Sequence, residues 1–186
     1  DSTNAVNNLK IKIKPQTNGI YSFDDFSFYP VTNLPTNTEI CNGDFEIGVS
    51  GWSQANSGAN ILAVSDSTTY QNGNFSAKID ISNTVNGQPI FSSCKSDIEK
   101  NKKYRIHFWA KSLVGGQLAT DTSSLSSPPY TNYGIETFTL TTNWTEYIFL
   151  SESDSTIFGN VRFAKFKFLE KATYYLDNIE SPVREI

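Results

Sequence analysis

Two cysteines, one histidine and nineteen acidic residues are the side chains of this 186-residue chain best equipped for chemistry, and their spacing argues against catalysis. Cys41 and Cys94 stand far apart with no Cys-x-x-Cys spacing, so they provide no zinc or redox ligand set, and one disulfide or two free thiols remain. His107 has no nucleophile or second acid beside it, and no Gly-x-Ser-x-Gly elbow occurs. Hydrolysis between two carboxylates needs a pair held at fixed separation. Glu99, Glu146, Glu152, Asp154 and Glu170 are instead scattered among lysines and turns. The chain reads as non-catalytic, and recognition chemistry is left. Side chains alternate along a strand, so Tyr104, Ile106, Phe108 and Ala110 form one face and Arg105, His107, Trp109 and Lys111 the other. Hydrogen-bonding groups interrupted by one indole suit a flat ligand with polar edges. Tyr130 and Tyr133, stiffened by Pro128-Pro129 in a long polar loop over Thr120–Tyr133, are expected at the rim of such a site. Gln88 and Glu136 are further polar candidates.

The elements that must position these groups are strands. Aromatic residues make up 13% of the chain and charged residues 18%, with Ser, Thr and Asn filling the polar positions. That is the composition of short strands joined by uncharged turns. Residues 76–81, 104–109, 147–150 and 165–168 are β-rich runs, and Asn18-Gly19, Asn72-Gly73-Asn74, Asn86-Gly87 and Gly115-Gly116 supply the turns. An all-β sandwich or jelly roll follows. Trp52 and Trp144 are expected in its core. A net charge of -4 withholds the attraction on which nucleic-acid binding rests. No apolar run approaches the roughly 20 residues that cross a bilayer. Asp1-Ser2-Thr3-Asn4 lacks the basic-then-apolar order of a signal peptide, so the chain is expected to be a mature piece of a longer protein.

One pattern recurs. Lys12-Ile13-Lys14 followed by Tyr21-Ser22-Phe23-Asp24-Asp25-Phe26 matches, at a common offset, Lys165-Phe166-Lys167 followed by Tyr174-Tyr175-Leu176-Asp177-Asn178-Ile179. Residues 1–31 are therefore expected to be a hairpin like the closing strands of a preceding module, 32–37 a linker and 38–186 one complete module. Asp44 and Glu46 stand at the module's start and Asp177 near its end. First and last strands of a sandwich commonly lie side by side, so these oxygens are expected to converge with carbonyls of the 72–74 turn on a hard cation, calcium.

Cys41-Asn42-Gly43-Asp44-Phe45-Glu46, with Gly48 and Gly51-Trp52 after it, resembles the Asn-Gly-x-Phe-Glu…Gly-Trp opening of carbohydrate-binding modules of families 4, 9, 16 and 22. Gln71–Lys78, Tyr104–Lys111, Asn143–Tyr147 and Tyr174–Ile179 resemble further segments of those modules in the same order. The resemblance spans residues 41–180. It implies an all-β jelly-roll β-sandwich, galactose-binding-domain-like, that binds β-linked plant polysaccharide, xylan or β-glucan, in a concave cleft. Arg105, His107, Trp109, Tyr130, Tyr133, Gln88 and Glu136 then become the expected sugar contacts, with a structural calcium at Asp44, Glu46 and Asp177. Asn178 stands where a second Asp is usual, which removes one charge from that site. The resemblance also implies a secreted or cell-surface monomer that targets an attached glycoside hydrolase, such as an endo-1,4-β-xylanase, beside a neighbouring module. A structural or adhesive sandwich without a sugar site is the competing expectation.

Overall fold

The alternating run around Tyr104 forms a ten-residue strand, and strands make up the rest of the architecture. The computed structural model describes residues 40–55, 60–84, 89–124, 131–180 and 183–185, and these contain twelve strands and no helix. The hairpin expected over 1–31, the linker over 32–37, Gln88 and Tyr130 lie outside the described residues. In chain order the strands are β1 Ser53–Ala55, β2 Asn60–Asp66, β3 Ser76–Asn83, β4 Ile90–Ser92, β5 Ser96–Ile98 and β6 Lys103–Ser112. They continue as β7 Gly116–Ser124, β8 Asn132–Leu140, β9 Thr145–Glu152, β10 Ile157–Phe168, β11 Thr173–Asp177 and β12 Val183–Glu185. Two antiparallel six-stranded sheets result. The first has the order β1-β4-β10-β7-β8 with β5 also on β10, and the second β12-β6-β11-β3-β2 with β9 also on β6. The fold is the expected all-β sandwich.

Alternation determines what each sheet buries. On β6, Tyr104, Ile106, Phe108 and Ala110 are fully buried, while Arg105, His107, Trp109 and Lys111 take the opposite parity. On β10, Val161, Phe163, Phe166 and Phe168 point inward. The two inner faces meet through aromatic rings: Phe108 edge-on to Phe166 at 5.1 Å, Tyr104 against Phe163 at 4.9 Å and Phe168 against Tyr174 at 4.8 Å. Burying one such ring contributes about 1.5–3 kcal/mol, and the ring geometry roughly another 0.5–1.5 kcal/mol. Trp52 joins this core as expected, stacked on Phe91 at 4.8 Å, with its indole N–H donating to the carbonyls of Cys41 and Asn42. Trp144 does not. Just before β9 it shares the outward parity of Glu146 and Ile148, so its ring lies 6.3 Å from Tyr175 on the outer face of the second sheet.

Of the long polar loop expected over Thr120–Tyr133, the described residues are strand apart from Thr131. β7 continues to Ser124 and β8 begins at Asn132. β7 lies between β10 and β8, so both of its edges are hydrogen-bonded, and ladder pairing outweighs the weak preferences of its Ser and Thr side chains. The opening and closing segments do lie side by side. The Ile179 N–H donates to the Gly43 carbonyl at 2.8 Å, and a Cβ on Gly43 would come within 1.9 Å of the Ile179 carbonyl oxygen. Cys41 and Cys94 form a disulfide with their Cα atoms 6.0 Å apart, which settles the alternative left open by the sequence.

Candidate functional site

Ligand-type side chains occur on the outer faces of both sheets. On the second, Arg105 is exposed, and His107 Nδ1 lies 3.0 Å from Glu146 Oε1 on β9. Trp109 is half-buried, with Glu146 opposite it on one side and Asp177 on the other. Neighbouring charges on this sheet are paired: Lys78 with Asp80 at 3.4 Å and Lys103 with Glu152 at 3.8 Å. Such exposed pairs contribute roughly 0–1 kcal/mol each.

Two of the three expected cation ligands converge on one turn. The fully buried Asp177 accepts the backbone N–H groups of Gln71 at 2.8 Å and Asn72 at 3.1 Å on Oδ2, and that of Asn178 at 2.7 Å on Oδ1. Glu46 accepts the N–H groups of Asn74 at 2.7 Å and Phe75 at 3.0 Å on Oε1, and the Asn74 side-chain amide on Oε2. Burial pushes the Asp177 carboxyl above its ordinary value, against the pull of these amides. The Asn74 N–H holds Glu46 below its own. Asp44 stands apart, exposed, with its Oδ1 accepting the Glu46 N–H at 3.4 Å. Among the described residues no three His, Cys, Asp or Glu side chains gather around one point. The oxygens on this turn are nevertheless hard donors that fit calcium. Carboxylate oxygens keep lone pairs beyond their N–H bonds, and Gln71 Oε1 is buried with no partner.

The outer face of the first sheet holds a group that the sequence did not single out. Lys165 and Lys167 alternate with the buried Phe166 and Phe168, and both reach Asp121 on β7. Lys165 Nζ lies 3.6 Å from Oδ1 and Lys167 Nζ 2.5 Å from Oδ2. Asp121 is fully buried, and the lysine side chains are 18% exposed. Arg162, on the same face, donates to the carbonyls of Ser92 and Ser93. Burial lowers the pKa of Lys165, against the pull of Asp121. The register places these groups in cross-strand rows. One runs Ser53, Ser92, Lys165, Asp121, Ile135 from β1 to β8, and the next Ala55, Ile90, Lys167, Ala119, Thr137. Five strands at about 4.8 Å spacing make each row roughly 19 Å long. Ile135 and Thr137 are exposed at the β8 end of these rows, and the two lysines are half-buried in their middle. The Lys-Phe-Lys-Phe alternation signalled the strand, but its partner Asp121 lay hidden in the polar run read as a loop.

Among the described residues, the expected sugar contacts are divided between the sheets. Arg105, His107 and Trp109 lie on the second sheet, whereas Glu136 is exposed on β8 of the first, opposite Thr120 and on the reverse side of the strand from Ile135. Tyr133, expected at a rim, is 6% exposed and packs in the core. The β-bulge between the Asp121–Ile135 and Ser123–Asn132 pairs accounts for this, because it turns Tyr133 inward.

A model of the carbohydrate-binding domain family matches residues 37–156. Among solved structures, a family 4 carbohydrate-binding module is 23% identical with a TM-score of 0.58, covering 77% of this chain and 99% of its own. A family 16 module is 23% identical with a TM-score of 0.56, over 77% of this chain and 98% of its own. A family 22 xylan-binding domain from Paenibacillus barcinonensis is 13% identical with a TM-score of 0.55, over 77% and 94%. At these identities the likeness is one of fold. No curated protein matches the chain.

Proposed function

The chain belongs to the carbohydrate-binding domain family, and from that premise we propose that it binds β-linked plant polysaccharide, xylan or β-glucan, along the outer face of the first sheet. As a member of that family it is a non-catalytic binding domain. The observation that carries the choice of face is the pair of cross-strand rows centred on Lys165, Asp121 and Lys167. Each ammonium has three donors. Asp121 is ion-paired with both lysines, and their ammonium donors are offered to sugar hydroxyls, with Ile90 and Ile135 giving apolar contact in the same rows. Calorimetric titration with xylohexaose and cellohexaose tests the reading. Lys167→Gln is expected to weaken binding by roughly tenfold, the worth of one hydrogen bond from a charged donor. Absence of binding to every xylan and β-glucan tried overturns it in favour of an adhesive or structural sandwich.

A second face has its own support in the half-buried indoles of Trp109 and Trp144 on the outer surface of the second sheet. If the ligand lies there with Arg105 and His107, Trp109→Ala costs about 1–3 kcal/mol of affinity, and Lys167→Gln leaves binding unchanged. A structural calcium held by Glu46, Asp177 and Gln71 Oε1 belongs to the same proposal. Added calcium should then raise the melting temperature and a chelator lower it, whereas identical melts in both would remove the ion. The repeated Lys-x-Lys and Tyr-x-x-Asp segments support a neighbouring module in the parent chain, and secretion and an attached glycoside hydrolase belong to the same proposal.

A further inference from the structure

Charge is balanced differently on the two outer faces. On the second sheet Lys78, Lys103 and His107 each have an acidic neighbour within 4 Å, and Lys111 lies over the rings of Trp144 and Tyr175. On the first, Lys165 and Lys167 share one carboxylate, Asp121, and Arg162 donates to the backbone carbonyls of Ser92 and Ser93. That surplus of cations occurs in a chain whose net charge is -4.

The surplus is partly desolvated. Burial lowers the pKa values of both Arg162 and Lys165, in Lys165 against the pull of Asp121. Beside Arg162, in the same cross-strand pair, the hydroxyl of Ser123 is buried with no hydrogen-bond partner. That hydroxyl keeps its donor and its lone pairs unused. A neutral sugar hydroxyl can accept a hydrogen bond from an ammonium group but cannot offset its charge. A carboxylate does both, through hydrogen bonds roughly twice as strong as neutral ones.

We infer that the polysaccharide bound on this face is acidic, a β-linked chain bearing uronate carboxylates, with Arg162, Lys165 and Lys167 as the carboxylate contacts. The inference rests on the polysaccharide reading above and narrows its substrate class.

The test titrates the full chain with glucuronoxylan and with the same polymer after chemical reduction of its carboxyl groups, alongside neutral xylan and β-glucan. The acidic polymer is expected to bind roughly tenfold more tightly than its reduced form, as a charge-assisted contact implies. Added salt should weaken the acidic polymer and leave the reduced one nearly unchanged. Lys167→Arg should keep the preference, and the pair Lys165→Gln with Lys167→Gln should abolish it. Equal affinity for native and reduced polymer overturns the acidic ligand while the polysaccharide reading stands. A preference that survives the double substitution overturns the assignment to this face. Binding to none of the four polymers overturns both readings.

Discussion

Asn178 adopts a φ of 45°, in the left-handed region that Asn tolerates and most L-residues avoid. Its sequence position suggested a lost charge; the structure gives the residue a backbone task, closing the strand after Asp177. Asn178→Ala is therefore expected to lower stability by about 1–2 kcal/mol and Asn178→Gly far less, measured by urea denaturation. Gly43 has the sharper constraint. A methyl group there would meet the Ile179 carbonyl, which is backbone and cannot swing aside. Gly43→Ala should cost more than Asn178→Ala, because it forces the opening and closing segments apart. Neither constraint was visible in the residue types, since φ and cross-chain approach depend on what the fold brings near.

At the scale of elements, the turn spanning residues 71–75 is clasped by two carboxylates whose titrations act in opposite directions. Glu46 has a folded pKa below its ordinary 4.5, so its stabilisation is complete above that value and disappears as pH falls through the lower, folded one. Asp177 has a raised folded pKa, so its contribution is present below its ordinary 3.8 and declines as pH rises through the folded value. Thermal melts of Glu46→Gln should accordingly fall furthest below the unmodified chain at neutral pH and converge with it in acid. A constant difference across that range would mean that the glutamate charge does not hold the turn. β6 was legible from sequence because its core and solvent residues alternate without a break. β7 was not. Its Ser and Thr side chains signal a loop, and only β8 and β10 on either side make it a central strand. The charged face built on it was therefore hidden too, since Asp121 meets Lys165 and Lys167 through pairing between residues distant in sequence.

For the molecule as a whole, the sandwich and the meeting of its first and last segments were legible, because turn chemistry and strand pattern constrain both. The allocation of ligand groups between two outer faces was not, because it depends on register and on bulges in β8 and β10. The disulfide acts at this largest scale. It closes a loop of sequence separation 53, and chain entropy gives such a loop about 4 kcal/mol. Reduction, or replacement of both cysteines by serine, should lower the unfolding free energy by up to that amount, measured by denaturant titration under oxidising and reducing conditions.

The same bridge has a mechanical consequence. A domain that grips a long polymer is loaded in tension through its flanking chain, and the covalent link from Cys41 to Cys94 carries that load past β1, β2, β3 and β4. Even with the sandwich torn open, the bridged segment cannot unspool. At roughly 3.4 Å per extended residue, it withholds on the order of 180 Å of contour length. Single-molecule stretching should show an unfolding step shorter by that length until a reductant is added, which makes the bridge a limit on extension as well as a brace for the fold.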